Sequence, residues 1–173
     1  TANGAVWSWG DGPHGLLGHG HEEPLLPKKV EALAGQRVVA VSAGSEHSFA
    51  LTADGAAWSW GGGAFGKLGH GDQQNQQLPK KIEAFAGRRV VTVSAGVAHS
   101  LAITTDGAIF AWGGGDGSCL GHGEDLSNQL LPKKIEAFAG QRVFAVAAGD
   151  AHSLAITADG AVWSWGWGDD GVL

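Results

Sequence analysis

Four kinds of side chain stand where they invite a chemical reading. They are a lysine behind a glycine-rich stretch, clustered histidines, serines beside histidines, and eight tryptophans. Gly61-Gly-Gly63-Ala-Phe-Gly66 fits G-x-G-x-x-G, and Lys67 nearly completes a phosphate-binding loop. Such a loop needs a Ser or Thr after the lysine to hold magnesium, and a helix whose N-terminus faces the phosphate. Leu68 follows instead, then Gly69-His70-Gly71, which is no helix start. The same spacing recurs at Gly10-x-Gly12-x-x-Gly15 and Gly166-x-Gly168-x-x-Gly171 without a lysine, so the glycines read as turn formers. A metal is the next question. His14, His19 and His21 cluster, and His19, His70 and His122 recur at one place, yet no Cys or carboxylate stands beside them at a fixed ligand spacing. His47, His99 and His152 each follow an Ala-Gly bend and are expected to hydrogen-bond neighbouring backbone. A catalytic constellation should break the repeat, and no unit combines Ser, His and Asp in a way the others lack. The expectation is no catalytic residue, no cofactor and no metal.

The elements that position these residues recur. Gly55-Ala-Ala-Trp-Ser-Trp-Gly61 has echoes whose second aromatic falls at Trp9, Trp60, Trp112 and Trp165, in steps of 51, 52 and 53 residues. Such a period marks a repeat architecture. Within one period, Pro27-Lys-Lys-Val-Glu-Ala32 alternates and reads as a half-exposed strand, its Pro and paired Lys suiting an outer sheet edge. The device returns at Pro79-Lys80-Lys81 and Pro132-Lys133-Lys134. Val38 to Gly44 is apolar on both faces and dwindles to small residues, as a strand buried on both sides in a narrowing space requires. His47 to Thr52 is a third strand, Ala53-Asp54-Gly55 a hairpin turn, and Trp58 and Trp60 share one face of a fourth strand. A Gly-rich loop from Gly61 to Gly71 and a polar stretch from Asp72 to Gln77 lead to the next unit. Seven of the tryptophans belong to the repeated strand and are expected to form core between blades; Trp167 lies just beyond it.

Four short strands per period is the layout of a propeller blade. The chain is predicted to be all-β, a partial β-propeller of about three four-stranded blades. A parallel β-helix, the runner-up, normally uses shorter coils. The single array covers residues 1–173, in units of about 1–52, 53–104 and 105–157 with a partial unit at 158–173. It contains no Met, opens within a repeat and ends within a loop, so it reads as a fragment, the alternative being assembly with another copy. Apolar residues make up 43% and charged ones 16%, far from a disordered composition. The net charge is −6 with no basic tract, so no nucleic-acid partner is expected. No apolar run approaches the ~20 residues of a membrane-spanning helix, so no membrane insertion is expected. One cysteine, Cys119, rules out an internal disulfide framework.

The Val-x-Val-Ser-Ala-Gly-x-x-His-Ser block, the Thr-x-Asp-Gly turn, the Trp-Ser-Trp-Gly strand and the Leu-Gly-His-Gly loop together resemble the regulator of chromosome condensation repeat, over the whole chain. The resemblance implies a seven-bladed propeller, of which this chain is just under half. It also implies diverse functions: nucleotide exchange on a small nuclear GTPase with chromatin binding, UV-B reception, or protein interaction. The excitonic tryptophans of the UV-B receptors resemble insertions at the Gly-x-x-His position. Here those positions hold Ser45-Glu46, Val97-Ala98 and Asp150-Ala151, which argues against a photoreceptor. Nearly equal repeats with no inserted wedge weaken the exchange reading, and an acidic balance weakens chromatin binding.

The expected function is therefore a non-enzymatic protein-interaction scaffold. Alternatives are a guanine-nucleotide exchange factor for a small GTPase and a structural subunit of a larger assembly. The partner is a protein of unknown identity, in an intracellular setting. Contact residues are expected where the units differ: Asp11 to His14, His21 to Glu23, Gly63 to Lys67, Asp72 to Gln77 and Asp116 to Leu126. Those singled out are Asp11, His14, His21, Glu22, Phe65, Lys67, Asp72, Gln74, Asp116, Glu124 and Asp125.

Overall fold

A computed structural model describes residues 1–168, 171 and 173. Thirteen strands appear among them: β1 (Trp7–Ser8), β2 (Lys28–Lys29), β3 (Val38–Ala43), β4 (His47–Thr52), β5 (Ala57–Gly61), β6 (Gln76–Lys81), β7 (Val90–Ala95), β8 (His99–Thr104), β9 (Ile109–Gly113), β10 (Gln129–Lys134), β11 (Val143–Ala148), β12 (His152–Thr157) and β13 (Val162–Gly166). They form antiparallel sheets in the orders β1-β2, β3-β4-β5-β6, β7-β8-β9-β10 and β11-β12-β13. These are two complete blades, a third lacking an outer strand, and an outer pair ahead of them. We call the complete blades and the three-stranded one blades 1, 2 and 3.

Local chemistry explains the turns. In the β4–β5 hairpin the Thr52 hydroxyl pairs with the Asp54 carboxylate, which also accepts the Ala56 amide at 3.3 Å. Gly55 takes φ +86°, a left-handed conformation that a Cβ would strain. Thr104–Asp106 and Thr157–Asp159 repeat the pattern. Each inner strand carries one bulge after its first residue, at Val38/Ala40, Val90/Thr92 and Val143/Ala145.

The core lies between blades. Phe49 and Leu51 of blade 1 meet Ala102, Phe110 and Trp112 of blade 2, with Ile82, Phe85 and Val90 closing the cluster. Trp112 is fully buried, with Phe49 and Phe85 each 5.9 Å away, centroid to centroid, edge to face. A second cluster joins Leu101, Ile103 and Ile109 of blade 2 to Val143 and Ala155 of blade 3, with Trp165 against it.

Three expectations need correction. The Pro-Lys-Lys strand does not run on through Ala32: the full examples are Gln76–Lys81 and Gln129–Lys134, ending at the second lysine. The next residue, Val30, Ile82 or Ile135, turns into the core, and a 3-10 turn follows at Glu31–Leu33, Glu83–Phe85 or Glu136–Phe138. The strand gains instead the three residues before the proline, Gln76 to Leu78 and Gln129 to Leu131, because an outermost strand needs a buried face at few positions. Its edge place is as expected. The inner strands are not buried on both sides: most of β3 is exposed, since it faces the axis of an open arc. Trp7, Trp9 and Trp163 are exposed too, whereas Trp60 and Trp112 are buried between blades as expected.

Candidate functional site

The repeated histidines and serines knit the blades together. Ser100 and Ser153 stand opposite Trp112 and Trp165 in the strand register. The Ser100 hydroxyl donates to the Lys67 carbonyl at 2.8 Å, and the Trp112 indole donates to the same oxygen at 2.9 Å. Because Ser100 has one proton and a carbonyl only accepts, His47 Nε2, 2.9 Å from Ser100 Oγ, is the donor of that pair. His47 is then the Nε2–H tautomer, which leaves Nδ1 bare, buried and unpaired. The set recurs one blade on: His99 Nε2 to Ser153 at 2.9 Å, and Ser153 and Trp165 to the Cys119 carbonyl at 2.8 and 2.9 Å. Burial first, then the Lys67 charge, pushes the pKa of His47 down to about 3; burial first, then His152, pushes His99 to about 4. Both are neutral at physiological pH.

This corrects, for His47 and His99, the expectation that the histidines bond neighbouring backbone; their partners lie 53 and 54 residues away. It also disposes of a Ser–His nucleophile. The serine gives its proton to a carbonyl rather than to the imidazole, and both side chains are sealed from solvent. The Leu-Gly-His-Gly histidines are likewise occupied: His19 and His70 bond Ser8 and Ser59 at 2.9 and 3.0 Å, and His122 bonds the Ala111 carbonyl at 3.3 Å. Among the described residues, no three His, Cys, Asp or Glu side chains gather as metal ligands. No helix among them is long and apolar enough to cross a membrane.

The Gly-x-x-His turns and the loops after β5 and β9 lie at one end of the blades and form a loop face. Here 3-10 turns at Pro13–Gly15, Ala64–Gly66 and Asp116–Ser118 hold His14 at φ 63° and Phe65 at φ 62°. Long loops lace the turns down: Asn75 Oδ1 accepts the Gly63 amide at 2.9 Å, and Asn128 Oδ1 the Gly115 amide at 3.2 Å. The Asn75 amide also meets His14 Nδ1 at 3.1 Å, which ties successive loops together.

The expected contact residues divide on this geometry. Asp11, His14, Phe65 and Asp116 are exposed on the turns. Lys67 is 2% exposed and sits beneath the surface, its ammonium 2.9 Å from Glu46. Asp72 accepts the Gln74 amide at 2.9 Å and shapes its own loop. Glu22 pairs with Lys28, and Asp125 with Lys133 at 2.6 Å; these lysines hold both carboxyls below their usual range. Those two acids staple loop to edge strand. His21 and Glu124 are exposed on the same outer loops.

Phe65 and Asp116 come together with Cys119, which lies in the expected stretch Asp116 to Leu126, and with residues outside every expected stretch. They line a cavity of about 150 Å³ with Ala98, Cys119, Asp150 and Ala151. Glu46, Ala98 and Asp150 occupy the two variable places of Gly-x-x-His, where their departure from one another was the signal available in the sequence.

A family model described as RCC1-like domain matches residues 1–173. Over 176 residues the chain is 43% identical to the human E3 ubiquitin-protein ligase HERC2, covering 100% of this chain and 4% of that protein. It is 42% identical over 170 residues to the ultraviolet-B receptor UVR8 of Arabidopsis thaliana, covering 97% of this chain and 38% of the receptor. The crystal structure of Prp20p from Saccharomyces cerevisiae superposes with a TM-score of 0.85 at 27% identity, covering 98% of this chain and 43% of that one. The chain thus spans less than half of each.

Proposed function

The chain belongs to the RCC1-like domain family, and from that premise we propose that it is a non-enzymatic scaffold binding protein partners through its loop face. One observation carries this. The side chains that differ between repeats gather on the loop face, over a His–Ser–Trp seam that repeats from blade to blade. A face prepared in this way needs little ordering when a partner docks. Its exposed charge is acidic, from Asp11, Asp116, Glu124 and Asp150.

The test is quantitative partner capture by matched variants. Asp11→Lys with Asp116→Lys and Asp150→Lys should lose the partners bound by the native chain. Glu83→Lys with Glu136→Lys, at the opposite end of the blades, should keep them. Equal capture by both variants sinks the proposal. A second reading, nucleotide exchange on a small GTPase, draws on the likeness to Prp20p, which binds Gsp1p and histones. Accelerated release of labelled GDP from a panel of small GTPases would replace the scaffold reading with it.

A further inference from the structure

The cavity on the loop face has a counterpart one repeat earlier, and the two differ in a way that points to a ligand. Register places Lys67 where Cys119 stands one repeat later, Glu46 at Ala98, Val97 at Asp150, Ala64 at Asp116 and His14 at Phe65. In the earlier gap, between blades 1 and 2, the protein supplies its own cation. The Lys67 side chain is 2% exposed, and its ammonium pairs with Glu46 at 2.9 Å. In the later gap, between blades 2 and 3, the lysine has become a cysteine and the glutamate an alanine, so the internal cation and its counter-ion are both gone. The space remains, at about 150 Å³. Its lining has gained two exposed carboxylates, Asp116 and Asp150, and a phenyl ring, Phe65, 43% exposed.

We propose that this cavity receives a cationic side chain, arginine in preference to lysine, from a partner polypeptide. The proposal rests on the loop-face reading and names what that face grips. Two carboxylates with no internal cation attract a positive charge, and an aromatic face adds cation–π attraction. A guanidinium fits best, because its planar fork can engage carboxylates while its flat face stacks on the ring. The volume suits one side chain and falls well below the roughly 300–1,000 Å³ of pockets for whole small molecules. The rim is suited to a peptide: Trp167, 55% exposed, packs over Gly117 beside Asp116, and its amide donates to the Ala151 carbonyl at 2.9 Å.

The experiment is an amide-resolved NMR titration of the full chain with acetyl-Gly-Arg-Gly-amide and with the same peptide carrying citrulline, neutral and nearly the same shape. The arginine peptide should shift the Ala98, Asp116, Asp150 and Ala151 amides with a Kd of about 1 mM, as befits a single anchoring side chain. A lysine peptide should bind several-fold more weakly, and the citrulline peptide should not saturate. Asp150→Asn, alone or with Asp116→Asn, should weaken binding about tenfold or more, with unshifted signals elsewhere reporting an intact fold. Cys119→Lys, which returns an internal cation to the cavity, should abolish it. Equal binding of the citrulline peptide overturns the proposal. So do shifts confined to another surface, no saturable shift at all, or unchanged affinity in Cys119→Lys. If the titration fails while loop-face charge reversal still abolishes partner capture, the scaffold reading stands and only the cation pocket falls.

Discussion

The two gaps between successive blades share one frame and differ in what fills them. Beneath each, a serine and a tryptophan converge on one carbonyl and a histidine bonds that serine, with nearly identical distances. Above it, the gap between blades 1 and 2 is closed by Lys67 and Glu46, whereas that between blades 2 and 3 is left open under Asp116, Asp150 and Phe65. The lesson is about where a repeat protein can vary. The frame is buried and hydrogen-bonded across blades, so a change there strands a polar group or opens a void. The filling bonds only within its own gap, so lysine and glutamate can be exchanged together between repeats without disturbing the seam.

Deepest in the frame, the comparison predicts unequal tryptophans. Trp112→Ala should cost about 3–5 kcal/mol in chemical denaturation, as a fully buried aromatic does. Trp165→Ala, partly buried at the last described blade, should cost roughly half as much. Equal costs would show that the two seams are not distinguished by burial.

Acid should separate the seams next. Both histidines are neutral in the fold, and the unfolded chain takes up protons below the ordinary value of 6.5. Their stabilisation is therefore complete above pH 6.5 and is lost as pH falls towards about 4 for His99 and about 3 for His47. By pH 5 the loss is on the order of 2 kcal/mol per histidine. In an NMR titration His99 should protonate before His47, and Lys67→Met should raise the pKa of His47 by removing a nearby positive charge. The reverse order would break the comparison.

The fillings should differ in the same sense, by smaller amounts. Glu46→Gln leaves a buried ammonium with a weaker partner and should cost roughly 1–2 kcal/mol in thermal unfolding, Glu46 itself being half exposed. Asp116→Asn, on the exposed rim of the open gap, should stay within about 0.5 kcal/mol of the parent. A large loss there would mean that Asp116 is structural.

The legible parts of the fold were those written within one repeat. Thr-x-Asp-Gly announced its turn because threonine, aspartate and glycine complete the hydrogen bonds among themselves. Pro-Lys-Lys announced an edge strand because proline lacks a ladder donor and lysine repels further pairing. The family followed from these motifs together. Of the site, Phe65 and Asp116 were legible as departures from the repeat. Lys67 reads from the sequence as a surface contact. Its burial depends on Glu46, 21 residues earlier on another turn. In the sequence Glu46 and Asp150 mark only the absence of tryptophan, since nothing local tells which side chains will share a wall.

By itself the sequence determined the repeat, the strand alternation and the turns, because hydrophobic periodicity and turn chemistry act over a few residues. The tertiary structure alone decided which repeats touch and what each contact encloses. It gave His47 a serine 53 residues away, buried Lys67 and left a hollow above Cys119. Those outcomes come from side chains of different blades competing for one volume and one carbonyl, and that competition exists only once the blades are stacked.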